Sequence, residues 1–132
     1  MKAGGTYRQA ESARGVDENR HLWIVLSDAA AYPDEVITVF LTTRKAKRDQ
    51  TCILDPGDHP FIVHESTVAF GVAEIRKAFD LDSLLTNGKL VAHDDAKLAM
   101  VERIRMLLTF SPYSTPRIIA AANRQAFGQP FP

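Results

Sequence analysis

The stretch that decides the fold is His21-Leu22-Trp23-Ile24-Val25-Leu26-Ser27, followed after a break by Val36-Ile37-Thr38-Val39-Phe40-Leu41-Thr42-Thr43. Both runs are rich in β-branched and aromatic residues and nearly unbroken in apolar character, the pattern of strands buried on both faces. The segment from Ala29 to Asp34, with Tyr32-Pro33, separates them. Downstream, Thr51-Cys52-Ile53-Leu54 reads as a short strand and Asp55-Pro56-Gly57-Asp58-His59-Pro60 as a loop dense in turn-formers. Phe61-Ile62-Val63-His64 and Ser66-Thr67-Val68-Ala69-Phe70 read as two more strands, and Ala73–Phe79 fits either a strand or a short helical piece. Upstream, Gly5-Thr6-Tyr7 can start a short strand, whereas Gln9–Arg20 has no apolar period and reads as an exposed loop or arm.

Beyond the Asn87-Gly88 turn the period changes. Leu98, Val101, Ile104 and Leu108 recur on one helical face, predicting a helix over 95–109 with Asp94 or Asp95 as N-cap and Ser111-Pro112 as its end. Thr115-Pro116 opens a second helix, with Thr as N-cap and Pro at the first helical position. Five or six short strands followed by helices predict a mainly β fold with C-terminal helices (α+β). The layout is a small antiparallel barrel or sheet with a helix packed at one end. The chain of 132 residues is expected to be one domain, with 1–20 as arm, 21–79 as barrel strands and 80–132 as the helical part.

Hydrophobic residues at 45% and charged residues at 24% exclude a disordered or collagen-like chain. The single cysteine, Cys52, cannot form an internal disulfide and sits in an apolar strand, so it reads as an inert thiol in a reducing, cytoplasmic setting. The first residues carry no apolar core, so no secretory signal is expected, and no stretch approaches the roughly 20 apolar residues of a membrane span. Sixteen basic and sixteen acidic residues give a net charge of +0, which argues against a histone-like nucleic-acid binder. The charge is nonetheless uneven: Arg44-Lys45-Ala46-Lys47-Arg48 gathers four cations in five positions. Such a run is either a solvated loop or a flexible phosphate clamp between strands.

No G-x-S-x-G, P-loop, H-E-x-x-H or C-x-x-C pattern is present, and no cofactor is implied. Asp58, His59 and His64 are the only residues that suggest metal ligands, but a five-residue step along a strand turns His59 and His64 to opposite faces. Asp58 and His59 otherwise organise a turn. His21 at a strand start is a candidate acid or base, Arg20 beside it a fixed charge for a phosphate, and Thr42-Thr43 a pair of hydroxyls next to the basic run.

From about His21 to Leu108 the chain resembles the MazF/PemK-like toxins of type II toxin–antitoxin systems. The resemblance is carried by Trp23-Ile24-Val25-Leu26-Ser27, matching an apolar strand that ends in V-L-S, and by Val39-Phe40-Leu41-Thr42-Thr43 with the basic run behind it. Cys52-Ile53-Leu54 with the Gly57-Asp58 turn, and Gly88-Lys89-Leu90 followed by the helix, complete it. The resemblance implies an SH3-like barrel, usually a homodimer, acting as a metal-independent endoribonuclease on single-stranded RNA and neutralised by an antitoxin. It assigns His21, with Arg20 adjacent, to the family's catalytic Arg position, and Thr42 or Thr43 to its strand-end hydroxyl. Arg44, Lys45, Lys47 and Arg48 would grip the RNA backbone. The chain departs from the family in carrying His at position 21, and Phe70-Gly71-Val72 where many members have Asp-Gln. The alternative expectation is a non-catalytic SH3-like module that docks a peptide or nucleic acid.

Overall fold

The computed structural model describes residues 1–10, 21–30 and 34–127. Arg20 with the rest of the expected arm from residue 11, Tyr32-Pro33 and the tail Pro130-Phe131-Pro132 lie outside the described residues. The fold is mainly β with C-terminal helices, as the order of patterns predicts. Seven antiparallel strands, β1 (Thr6–Gln9), β2 (Trp23–Val25), β3 (Glu35–Thr43), β4 (Ile53–Leu54), β5 (Ser66–Val68), β6 (Glu74–Lys77) and β7 (Leu90–His93), form an open, barrel-like sheet. Among the described residues three helices accompany it: α1 (Ala78–Thr86), α2 (Leu98–Leu108) and α3 (Pro116–Arg124).

The long strand β3 organises the sheet. Thr38 pairs with Val25 of β2 and with Glu74 of β6, so these strands occupy opposite edges. Beyond Thr38 the β6 edge passes to β5, which pairs with Leu41, Thr42 and Thr43. A single 3₁₀ turn at Phe70–Val72 carries the chain from β5 to β6. Alternate residues of β3 feed two cores. Ile37, Val39 and Leu41 join Leu22, Ile24, Leu26 and Phe70 against α2 and α3, while Val36 joins Tyr7, Val25, Leu81 and Leu90 against α1. This double coverage explains why the first two runs lack polar alternation.

Several expectations are corrected. Phe61–His64 is not a strand, because Pro60 offers no N–H and the next two amides are taken locally. The Phe61 N–H donates to His59 Nδ1 at 3.0 Å, and the Ile62 N–H donates to His59 O. The strand predicted from Thr51 shortens to Ile53–Leu54, since Asp49 Oδ1 accepts from both the N–H and the hydroxyl of Thr51. The sheet also reaches beyond 21–79. Gln9 belongs to β1, expected as part of the arm, and β7 lies inside the part expected to be helical.

Ala73–Phe79 contains both alternatives, β6 and the start of α1. The helix α1 has no capping side chain of its own at Lys77. Asp34 supplies the cap from across the fold: its carbonyl accepts from Ala78 N–H at 2.8 Å and its Oδ1 from Phe79 N–H at 3.0 Å. Asp34 holds φ +62° to do so, a left-handed conformation that aspartate tolerates better than most residues. In α2 neither Asp94 nor Asp95 is the N-cap; the helix begins at Leu98 with Lys97 before it and no side-chain cap. Val101, Ile104 and Leu108 are buried as predicted, but Leu98, in the first turn, is 59% exposed, and Met100 is buried instead. Thr115 caps α3 as expected, its hydroxyl accepting from Ile118 N–H at 3.3 Å with Pro116 at the first position.

On β7, His93 buries its Nε2 without a hydrogen-bond partner among the described residues. Burial first, then the charges of Arg8 and His59, hold its pKa below the ordinary histidine value, against a smaller opposing effect of Asp94. The unfolded chain therefore takes up this proton at a higher pH than the folded one. Stability is complete above about pH 6.5 and weakens as pH falls through the window below it. Thermal melts should show a fall in Tm across that window, and His93→Gln should make the fall shallower.

Candidate nucleic-acid interface

His21 lies just ahead of β2, where β2 and the end of β3 run side by side. Its Nδ1–H donates to the Leu41 carbonyl at 3.0 Å, which sets the neutral tautomer and leaves the lone pair on Nε2. The ring tilts over Phe40 at 4.5 Å between centroids; Phe40 in turn packs on Trp23 at 5.0 Å, and Trp23 stacks on Tyr7 at 6.3 Å. An aromatic row across three strands thus fixes the imidazole plane. Its members alternate with the residues that point into the larger core.

The basic run connects β3 to β4 and is cross-tied to its surroundings. Arg44 pairs with Glu65 and donates from Nε to Gln50 Oε1 at 2.7 Å. The Arg44 hydrogen bond and charge hold the exposed Glu65 carboxyl below its ordinary pKa. Gln50 donates to the carbonyls of Lys45 and Arg48. Arg48 folds back onto the strand end, its Nη1 donating to Thr42 Oγ1 at 2.6 Å and to Thr43 O at 2.5 Å. Asp49 anchors the far side: it is 8% exposed, and its Oδ2 accepts from Ser111 Oγ at 2.6 Å. Among the described residues, the side chains of Lys45 and Lys47 carry no hydrogen bond or ion pair. The run therefore divides into two structural arginines and two free lysines.

Two adjoining hollows meet at His21, Thr42 and Arg48. The first, about 420 Å³, also takes in Thr43, Lys45 and His64. The second, about 340 Å³, runs over Phe40 to Asp49, Thr67 and Tyr113. The structure thus brings together His21, Thr42, Thr43, Lys45 and Arg48 from the sequence-predicted set. Arg44 is drawn off to Glu65, and Arg20 lies outside the described residues.

Sequence reasoning misses the place of His64. Its proximity in the chain groups it with Asp58 and His59, yet it faces the same hollow as His21, while Asp58 and His59 border a different one with Asp94. His59 is buried and uses both ring nitrogens inside the chain, Nδ1 accepting from Phe61 N–H and Nε2 donating to Asp94 O at 2.5 Å. Asp58 Oδ2 accepts from Asp55 N–H, closing the turn. Among the described residues no three His, Cys, Asp or Glu side chains gather to hold a metal ion. The five-residue step from His59 turns His64 to another face, but nothing in the sequence places it beside His21, because the course of the loop is set by His59's own hydrogen bonds.

No protein family matches the chain, and neither a curated protein nor a solved structure matches it. No helix among the described residues is long and apolar enough to cross a membrane.

Cys52 stands apart from the site, fully buried in the larger core. Burial pushes its thiol up to about 11, so little thiolate forms near neutrality. A thiol reagent at pH 8 should leave the native protein unlabelled and label it fully once denatured, as the release of a chromogenic disulfide reports.

Proposed function

We propose that the chain is a toxin-like, metal-independent endoribonuclease that cuts single-stranded RNA in the groove where His21, Thr42 and Arg48 meet. The observation that carries this reading is a base of fixed tautomer, a second histidine and a guanidinium around one hollow of nucleotide size. Internal attack by a ribose 2′-OH needs a proton acceptor, a proton donor and positive charge at phosphorus. His21 Nε2 accepts the 2′-OH proton as the 2′-oxygen bonds to phosphorus. His64, entering as imidazolium, protonates the 5′-oxygen as its bond to phosphorus breaks. The products are a 2′,3′-cyclic phosphate and a free 5′-hydroxyl.

Arg48 keeps Nε and Nη2 for the phosphate oxygens while Nη1 remains on Thr42 and Thr43. It takes the phosphate-charge role that the sequence reading gives to Arg20. The Thr42 hydroxyl, accepting from Arg48, has its own proton to donate to phosphate. Lys45 and Lys47 track the backbone. Neutralisation by an antitoxin and assembly as a homodimer belong to the same proposal. Of the helix face Leu98, Val101, Ile104 and Leu108, the last three are buried in the chain's own core and Leu98 is exposed. The dimer therefore rests on the toxin resemblance, and sedimentation returning only monomer at micromolar concentration removes it.

Cleavage should persist in excess chelator and yield cyclic phosphate ends, read by end-group analysis. His21→Ala should cost roughly 10²–10⁴-fold on any substrate, the usual worth of one acid–base group. His64→Ala should lose a similar factor on RNA but little on a nucleoside 3′-nitrophenyl phosphate, whose leaving group needs no proton. Equal losses on both substrates would remove His64 as the acid. RNA bound but left uncut by the wild type would favour the non-catalytic module.

Replacing Lys45 and Lys47 by Gln should leave Tm unchanged, because neither supports the fold. On single-stranded RNA, the slope of log affinity against log salt should flatten by about 0.7 for each phosphate that the variant no longer neutralises. An unaltered slope, measured by filter binding, would move RNA to another face.

A further inference from the structure

The second hollow has a different chemistry from the first. Its polar end holds the Asp49 carboxylate, which repels phosphate. Asp49 Oδ1 is engaged twice by Thr51 and Oδ2 once by Ser111, so Oδ2 retains a lone pair for another donor. On the same hollow the Thr67 hydroxyl is fully buried and has no hydrogen-bond partner among the described residues. A buried hydroxyl left unpaired is costly, and a ligand that pairs with it recovers that cost. The hollow is also lined by Phe40 and by the 55% exposed Tyr113, which stands against Gly71. Two aromatic side chains, a buried acceptor and a hydroxyl on one hollow suit a planar, uncharged, donor-bearing ring.

Resting on the RNA reading of the adjoining groove, we propose that this hollow is a nucleobase subsite selecting a base with an exocyclic amino group. The two hollows share His21, Thr42 and Arg48, so a nucleotide whose phosphate lies at Arg48 has its base beside the second. Adenine, cytosine and guanine each present an amino donor to the Asp49 carboxylate, with a ring nitrogen group beside it for Thr67. Uracil has one ring N–H between two carbonyl oxygens, and these face the carboxylate with like partial charge. The base stacks between Phe40 and Tyr113, and the Asp49 and Thr67 end discriminates.

The test is calorimetric titration of the full chain with adenosine, cytidine, guanosine and uridine 5′-monophosphates. At least one amino-bearing nucleotide should bind about tenfold more tightly than the uridine nucleotide. Tyr113→Ala, at an exposed position, should weaken that binding with Tm unchanged. Thr67→Val should narrow the preference over uridine, and Asp49→Asn, if melts show it folded, should erase it. Uridine binding as tightly as the others, no binding of any of the four, or an unaffected Tyr113→Ala overturns the subsite. Cleavage assays separate this outcome from failure of the nuclease reading. Selective nucleotide binding without RNA cleavage keeps the subsite and removes the nuclease. Cleavage with equal rates beside every base keeps the nuclease and removes the subsite.

Discussion

The pairing of β3 on both edges and the burial of both its faces is the constraint on which the rest of the structure depends. Nine residues from Glu35 to Thr43 receive β2 along one edge and β6 and β5 in succession along the other. Because side chains alternate, each face needs its own cover. Helices α2 and α3 close one face and α1 closes the other around Val36. A one-residue slip of β3 would exchange Thr38 and Phe40 with Ile37 and Val39, so the register is firmly specified.

The candidate site arises where that coverage stops. α1 covers the Val36 end of the second face, and toward Thr42 the same face is left to Phe40, His21 and the returning Arg48. The polar groups of His21 and Arg48 are tolerated there because strand ends satisfy them. Leu41 O takes the His21 proton, and Thr42 Oγ1 and Thr43 O take Arg48. Asp49 reaches across to Ser111 beyond α2, which couples the basic connection to the helical layer. The loop is thereby tied both to the end of β3 and to the helical layer.

Much of this was legible in the chain. The two apolar runs announced β2 and β3, Thr115-Pro116 announced α3, and the period of Val101, Ile104 and Leu108 announced α2. What escaped reading escaped for identifiable reasons. Nothing before α1 looks like a cap, because Asp34 provides it from more than forty residues away. Phe61–His64 has the composition of a strand, but the His59 imidazole takes the Phe61 amide that a ladder would need. Of the site residues, His21, Thr42, Thr43 and the cations could be named one by one. That His64 and Tyr113 approach them could not, since both are delivered by loops whose course depends on distant partners.

The sequence by itself determined the antiparallel mainly β class with helices in the C-terminal part, and a concentration of positive charge next to a strand end. These follow from local periodicity and turn chemistry, which act within a few residues. Only the tertiary structure decided which of those charges remain free. Arg44 is held by Glu65 and Arg48 is turned inward onto Thr42, while Lys45 and Lys47 stay in solvent. It also decided that His64 belongs with His21 and not with His59. The reason is geometric: hydrogen bonds and ion pairs are satisfied by whichever group packing brings within about 3 Å, and sequence separation sets no bound on that choice.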